Sequence, residues 1–229
     1  SSTLGESDVR VSNNGVDYSE SSFVFEYIDA VQLSSLKPMV SSRSGGTSLV
    51  LSGTGFQDTN ELSCRFDKSA SVSGTFVSET EIHCVCPELD SDVSIVDVTL
   101  NGQDYSINTL RLETYDDSTR VLSIEPSVGS VTGGTKITVR GVHFVNAETL
   151  SCVFTLSSGE VELTTAQYVS SDTITCESPE LSAQTLNIPT SITFNGVDTI
   201  PSTSTFDILE SITVSSVVPS FGPRTMCPH

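Results

Sequence analysis

The sequence has no Trp, two Met, and only 10 Lys and Arg among its 229 residues. Against those cations stand 29 Asp and Glu, so the formal net charge is −19 at pH 7. A phosphate backbone repels such a surface, which argues against a nucleic-acid partner. An anionic leaflet repels it too. No apolar run approaches the roughly 18 residues a membrane-spanning helix needs, so direct membrane insertion of this segment is not expected. The opening residues, SSTLGESDVR, have neither a basic n-region nor an apolar h-region. A signal peptide is therefore either absent or already removed. Without Trp there is no evident aromatic platform for a sugar ring, which places a carbohydrate-binding module last among the readings. Ala is scarce and no helical period is present, so long helices are not expected.

Catalytic signatures are missing as well. There is no G-x-S-x-G elbow, no Walker loop and no G-x-G-x-x-G. The three His (His83, His143 and His229) have no partner at triad-like or ligand-like spacing in both halves of the chain. An enzyme is not expected.

What the chain does have is Ser and Thr, about 67 of them, and short alternating runs of Val, Ile, Leu and Phe. That is the vocabulary of half-buried strands. The chain also repeats itself. LSSLKPMVSSRSGGTSLVLSGTGF at 33–56 matches LSIEPSVGSVTGGTKITVRGVHF at 122–144, and LSCRF at 62–66 matches LSCVF at 150–154. IHCVCPEL at 82–89 matches ITCESPEL at 174–181, and VDVTLNGQD at 96–104 matches TSITFNGVD at 190–198. The offset drifts from 88 residues at Cys64/Cys152 to 94 at Asn101/Asn195, as loop insertions between fixed strands would give. Residues 8–28 read like the end of another repeat, and SVVPSFGPRT at 216–225 like the start of one. The chain thus looks like a window on a longer array, with the natural polypeptide extending beyond at least one end.

Each repeat reads as about seven strands with turn signals every 8–12 residues, the pattern of an all-β sandwich. Pro38 and Pro126 stop the first strand and let it switch sheets, since Pro cannot donate to a ladder. Gly53 and Gly141 end the second alternating strand where a bulge or close backbone approach excludes a Cβ, and Phe56 and Phe144 then plug one end of the core. The Asn-Gly pairs at 101–102 and 195–196 predict two-residue hairpin links.

The ordered set P-x(6)-GGT, G-x-x-F, L-x-C-x-F, I-x-C-x-x-P and a strand ending in Asn-Gly, present twice, resembles the IPT/TIG domain. The resemblance implies tandem immunoglobulin-like E-set β-sandwiches, as in plexin ectodomains and fibrocystin-like proteins. It divides the chain into the last strands of a preceding repeat at 1–30, full domains at 31–117 and 118–210, and the first strand of a following repeat at 211–229. That last stretch departs from the pattern, because Met226-Cys227 stands where Gly-Gly is expected. Modules of this family also serve as dimerisation domains of DNA-binding factors, a role that the charge and the paired cysteines oppose.

Six Cys are present. Matching positions in the repeats imply bridges Cys64–Cys84 and Cys152–Cys176, and hence an oxidising, extracellular or cell-surface location. Cys86 shares a strand face with Cys84 and is an alternative partner for Cys64. Cys86 and Cys227 are otherwise left over, to pair within or between chains. A Cys-x-Cys step without a second pair does not make a zinc site. Asp17, Asp104 and Asp198 after the Asn-Gly pairs, Asp116 and Asp117, and the ELDSD run at 88–92 form a solvated acidic surface, with Ca²⁺ as the weaker reading. No Asn lies in N-x-[ST], whereas PSTST at 201–205 is a candidate for O-glycans. Two functions remain. One is a surface array acting in adhesion, recognition or assembly through protein partners. The other is a structural subunit of an extracellular filament, surface hair or coat.

Overall fold

The computed structural model describes residues 5–221. Contacts group these residues into two compact units: 5–119 with 194–198, and 120–193 with 199–221. All regular structure among the described residues is β.

In unit 1, β1 (Gly5–Val9) and β2 (Phe23–Tyr27) form a separate antiparallel hairpin. The sandwich follows as β3 (Gln32–Lys37), β4 (Val40–Ser42), β5 (Ser48–Thr54), β6 (Ser63–Phe66), β7 (Ala70–Ser73), β8 (Thr75–Ser78), β9 (Glu81–Val85), β10 (Val93–Thr99) and β11 (Leu110–Tyr115). One sheet has the order β3-β5-β9-β8, the other β4-β11-β10-β6-β7. Alternation sets their inner faces. Leu49 and Leu51 of β5 are fully buried between more exposed Ser48, Val50 and Ser52, and Val96 and Val98 of β10 face them from the other sheet within one core. Each such side chain contributes about 2 kcal/mol of burial.

Unit 2 repeats the plan with β12 (Arg120–Glu125), β13 (Val128–Ser130), β14 (Lys136–Val142), β15 (Ser151–Thr155), β16 (Val161–Thr165), β17 (Gln167–Ser170), β18 (Thr173–Glu177), β19 (Thr185–Thr193) and β20 (Ile200–Leu209). Its sheets have the orders β12-β14-β18-β17 and β13-β20-β19-β15-β16. Phe154 and Phe206 meet edge to face in its core, with centroids 5.7 Å apart.

Nine strands per sandwich exceed the seven or so that alternation predicts, because two strands in each unit are split between the sheets. At Pro38 the chain leaves β3, paired with β5, for β4, which runs parallel to β11; Pro126 does the same between β12 and β13. The second split falls at Gly74, between β7 and β8, and at Ala166, between β16 and β17. A Cβ at Gly53 would stand 2.3 Å from the Gln32 carbonyl oxygen, and one at Gly141 would stand 2.2 Å from the Phe144 ring. Both glycines are therefore fixed by close approach, and the phenylalanines they admit, Phe56 and Phe144, are buried.

The hairpin β1–β2 aligns with β10–β11 without a gap, yet its burial is opposite. Val9, Val11, Phe23 and Phe25 are exposed, whereas their counterparts Val96, Val98 and Leu112 are fully buried and Leu110 packs on the core. Residues 211–221, expected to supply the first strand of a further repeat, form no strand among the described residues. Met226 and Cys227 lie outside the described residues.

Candidate functional site

The Asn-Gly motifs do not make two-residue links. β10 ends at Thr99 and β11 begins at Leu110, with the motif inside the intervening loop. A two-residue type I′ turn needs positive φ at both central positions. Here only the glycines have it, at +75° (Gly15), +72° (Gly102) and +76° (Gly196). The Asn side chain instead replaces a backbone acceptor. Asn101 Oδ1 accepts the N–H of Gln103 and of Asp104 at 3.0 and 2.8 Å, while Nδ2 donates to Asp104 Oδ2 at 2.9 Å. Asn14 does the same with Val16 and Asp17, and Asn195 with Val197 and Asp198. The repeated unit is thus an N-G-x-D turn, and its Asp is an internal acceptor. Among the described residues no group of three or more His, Cys, Asp or Glu is placed to hold a metal ion.

In unit 1 the turn at 194–198 is committed further. Asn195 Nδ2 also donates to the Val40 carbonyl at 3.1 Å. The Thr47 hydroxyl donates to Asp198 Oδ2 at 2.6 Å and accepts from the Ser41 hydroxyl at 2.8 Å. Phe194 lies against Tyr115 with ring centroids 5.2 Å apart. Val40, Ser41, Thr47, Tyr115 and Asn195 are all buried. Burial, then the Asp198 charge, pushes the Tyr115 phenol up to about 12. This polar cluster is built from the Thr of Gly-Gly-Thr and the Asp of N-G-x-D. Both recur in the sequence, but their partnership joins residues 151 apart and has no local signal.

The structure places Cys64 and Cys84 in one disulfide and Cys152 and Cys176 in another, with Cα separations of 6.4 and 6.3 Å. Each ties a strand of one sheet to a strand of the other, β6 to β9 and β15 to β18. Cys86 is a free, buried thiol, with burial raising its pKa, and it stands where unit 2 has Ser178. Its suggested partner Cys227 is outside the described residues. His83 pairs with Glu81 at 3.0 Å on a partly exposed strand, and His143 takes a positive φ of 59° in the turn before Phe144. Asp116 pairs with Arg43 at 3.3 Å, and Asp92 pairs with the same guanidinium. Sequence reading missed the part-buried pair Arg65–Asp97, whose two residues lie on neighbouring strands but 32 positions apart.

Two disulfide-closed sandwiches of one topology, carrying the same Pro crossing, Gly-Gly-Thr turn and N-G-x-D turn, define a tandem immunoglobulin-like protein. The IPT/TIG domain model matches residues 32–113 and again 120–208, so this chain belongs to the IPT/TIG family. Fibrocystin-L of Mus musculus is 33% identical over 133 residues, which is 54% of this chain and 3% of that protein. The full extracellular region of plexin A4 superposes with a TM-score of 0.54 at 19% identity, covering 83% of this chain and 17% of plexin A4. A surface glycan-binding protein of Bacteroides ovatus, solved with a mixed-linkage heptasaccharide, matches at 15% or less in sequence, with 14% identity and a TM-score of 0.30 over 76% of this chain and 43% of that one; that likeness is too distant to argue from. The chain therefore spans only a small fraction of the fibrocystin-L and plexin A4 chains it resembles.

Proposed function

We propose that this chain is an extracellular, non-enzymatic array of IPT/TIG modules that acts by protein contact in cell-surface adhesion, recognition or assembly. The observation that carries this reading is the repetition of a whole module, twice in full, with a disulfide at the same position in each. Repetition multiplies surface and does not assemble a reaction centre. Bridges of this kind persist in an oxidising compartment. The matched family is typically non-catalytic, and its members with related folds include extracellular regions. The dense negative charge limits non-specific collapse of such arrays onto one another and makes their contacts salt-dependent. Partners are proteins, further copies of the module included, with Ser/Thr-rich strands such as 201–205 available to O-glycans.

Fluorescent beads coated with the chain test this directly. Attachment to cells, or clustering of beads, that saturates with free chain and disappears after protease treatment of the target supports it. Equal attachment by beads carrying reduced, alkylated and unfolded chain overturns it.

A further inference from the structure

Three copies of the N-G-x-D turn occur, and their surroundings differ. In the copy at 195–198, Asn195 is buried, its amide reaches the Val40 carbonyl, and Asp198 accepts the Thr47 hydroxyl. In the copies at 14–17 and 101–104 all four residues are exposed, although the internal hydrogen bonds are the same within a few tenths of an ångström. The turn is thus prefolded whether or not anything receives it, so little ordering entropy opposes docking.

The receiving surface also exists twice. Val40, Thr47 and Tyr115 have as counterparts Val128, Thr135 and Leu209: Val40 and Tyr115 hold the same ladder positions as Val128 and Leu209, Tyr115 pairing with Ser42 as Leu209 pairs with Ser130, and each Thr ends its Gly-Gly-Thr turn. In unit 1 these positions are buried, with Val40 at 6% and Tyr115 at 7% exposure. In unit 2 they are open, with Val128 at 43% and Leu209 at 38%. Unit 2 therefore presents an apolar socket with a threonine at its rim, and the chain carries exposed turns of the kind that fill such a socket in unit 1.

We propose that the exposed N-G-x-D turns, 101–104 and 14–17, dock on the Val128–Thr135–Leu209 surface of a second copy of this chain. Asp104 or Asp17 accepts the Thr135 hydroxyl, as Asp198 accepts that of Thr47, and the Asn amide donates to the Val128 carbonyl. The contact joins two different surfaces, so it is heterologous; with two turns and one socket per copy it builds open, branching assemblies or closed rings. It rests on the reading of the chain as a contact array and names one partner within it. Net −19 per copy opposes the approach of two chains, so association strengthens as salt screens the charge.

Sedimentation equilibrium of the full chain tests this, carried to about 1 mM because a contact favoured within one chain enjoys an effective concentration of that order. The expected result is a mass that rises past the dimer with concentration, and more steeply in high salt. Thr135→Glu closes the socket by charge repulsion, and Asp17→Ala with Asp104→Ala removes the acceptors. Each variant stays monomeric alone, and a mixture of the two stops at no more than three chains, each of the two working turns of a Thr135→Glu copy in one working socket. Val128→Asp serves as a second socket variant if Thr135→Glu melts below the parent. A wild-type chain that is monomeric throughout, or variants that associate like the parent, overturn the proposal. Bead attachment to cells then still stands as the separate measure of the contact-array reading.

Discussion

Arg65 and Asp97 face each other across β6 and β10, joined by Nε–Oδ1 and Nη2–Oδ2 hydrogen bonds of 2.9 and 2.6 Å, with the guanidinium 3.1 Å from the centre of the Tyr105 ring. The hydrogen bonds that the guanidinium donates to Asp97 hold its pKa above the ordinary value. Unit 2 places Val153 and Ser191 at the same two positions. Removing Asp97 leaves the part-buried guanidinium without its carboxylate, whereas replacing both residues removes the charge and its partial desolvation cost together. Asp97→Ala alone is therefore expected to lower the melting temperature more than Arg65→Val combined with Asp97→Ser. Calorimetric melts of the two variants check it, and the opposite order refutes it.

Gly141 and Gly46 separate two reasons for glycine. A Cβ at Gly141 meets the Phe144 ring at 2.2 Å and the Arg120 carbonyl oxygen at 2.3 Å, so Gly141→Ala forces backbone or ring to move and is expected to cost about 2–3 kcal/mol. Gly46 has open space but a φ of +87°, so Gly46→Ala is expected to cost only about 1–2 kcal/mol of backbone strain. Urea titration of both variants measures the difference.

The phenol of Tyr115, held up to about 12 by burial first and then by Asp198, links pH to stability at the alkaline end. Its folded pKa is raised above the ordinary value of 10.0, so its contribution is complete below pH 10 and is lost as pH rises from 10 toward 12. Absorbance titration near the tyrosinate band is expected to show one of the five tyrosines ionising late, and Tyr115→Phe is expected to remove that step.

Each disulfide closes a loop of 20 or 24 residues and is expected to contribute about 3 kcal/mol through the unfolded chain. Cys152→Ala with Cys176→Ala, and the same pair of changes at Cys64 and Cys84, are expected to lower the urea midpoint by similar amounts. A null effect at either site contradicts the bridge there.

Much of this architecture is legible in the sequence because its causes are local. Alternation in SLVLSG and KITVRG sets the inner faces, Pro38 and Pro126 stop a strand, and the repeat makes each inference twice. The Asn-Gly pairs mislead because a side-chain acceptor takes over the turn, which dihedral preference alone does not reveal. The extra strands arise where a run that looks continuous crosses between sheets at Gly74 or Ala166. The polar cluster of Thr47 and Asp198, like the Arg65–Asp97 pair, depends on partners brought together only by the fold.

The count of reactive thiols tests the account most directly, by intact mass after alkylation of the unreduced, denatured chain. Of six cysteines four are bridged, so the account predicts no more than two labels, with Cys86 labelled only after unfolding. Four or more labels on unreduced protein would contradict the disulfide-closed sandwiches on which the rest depends.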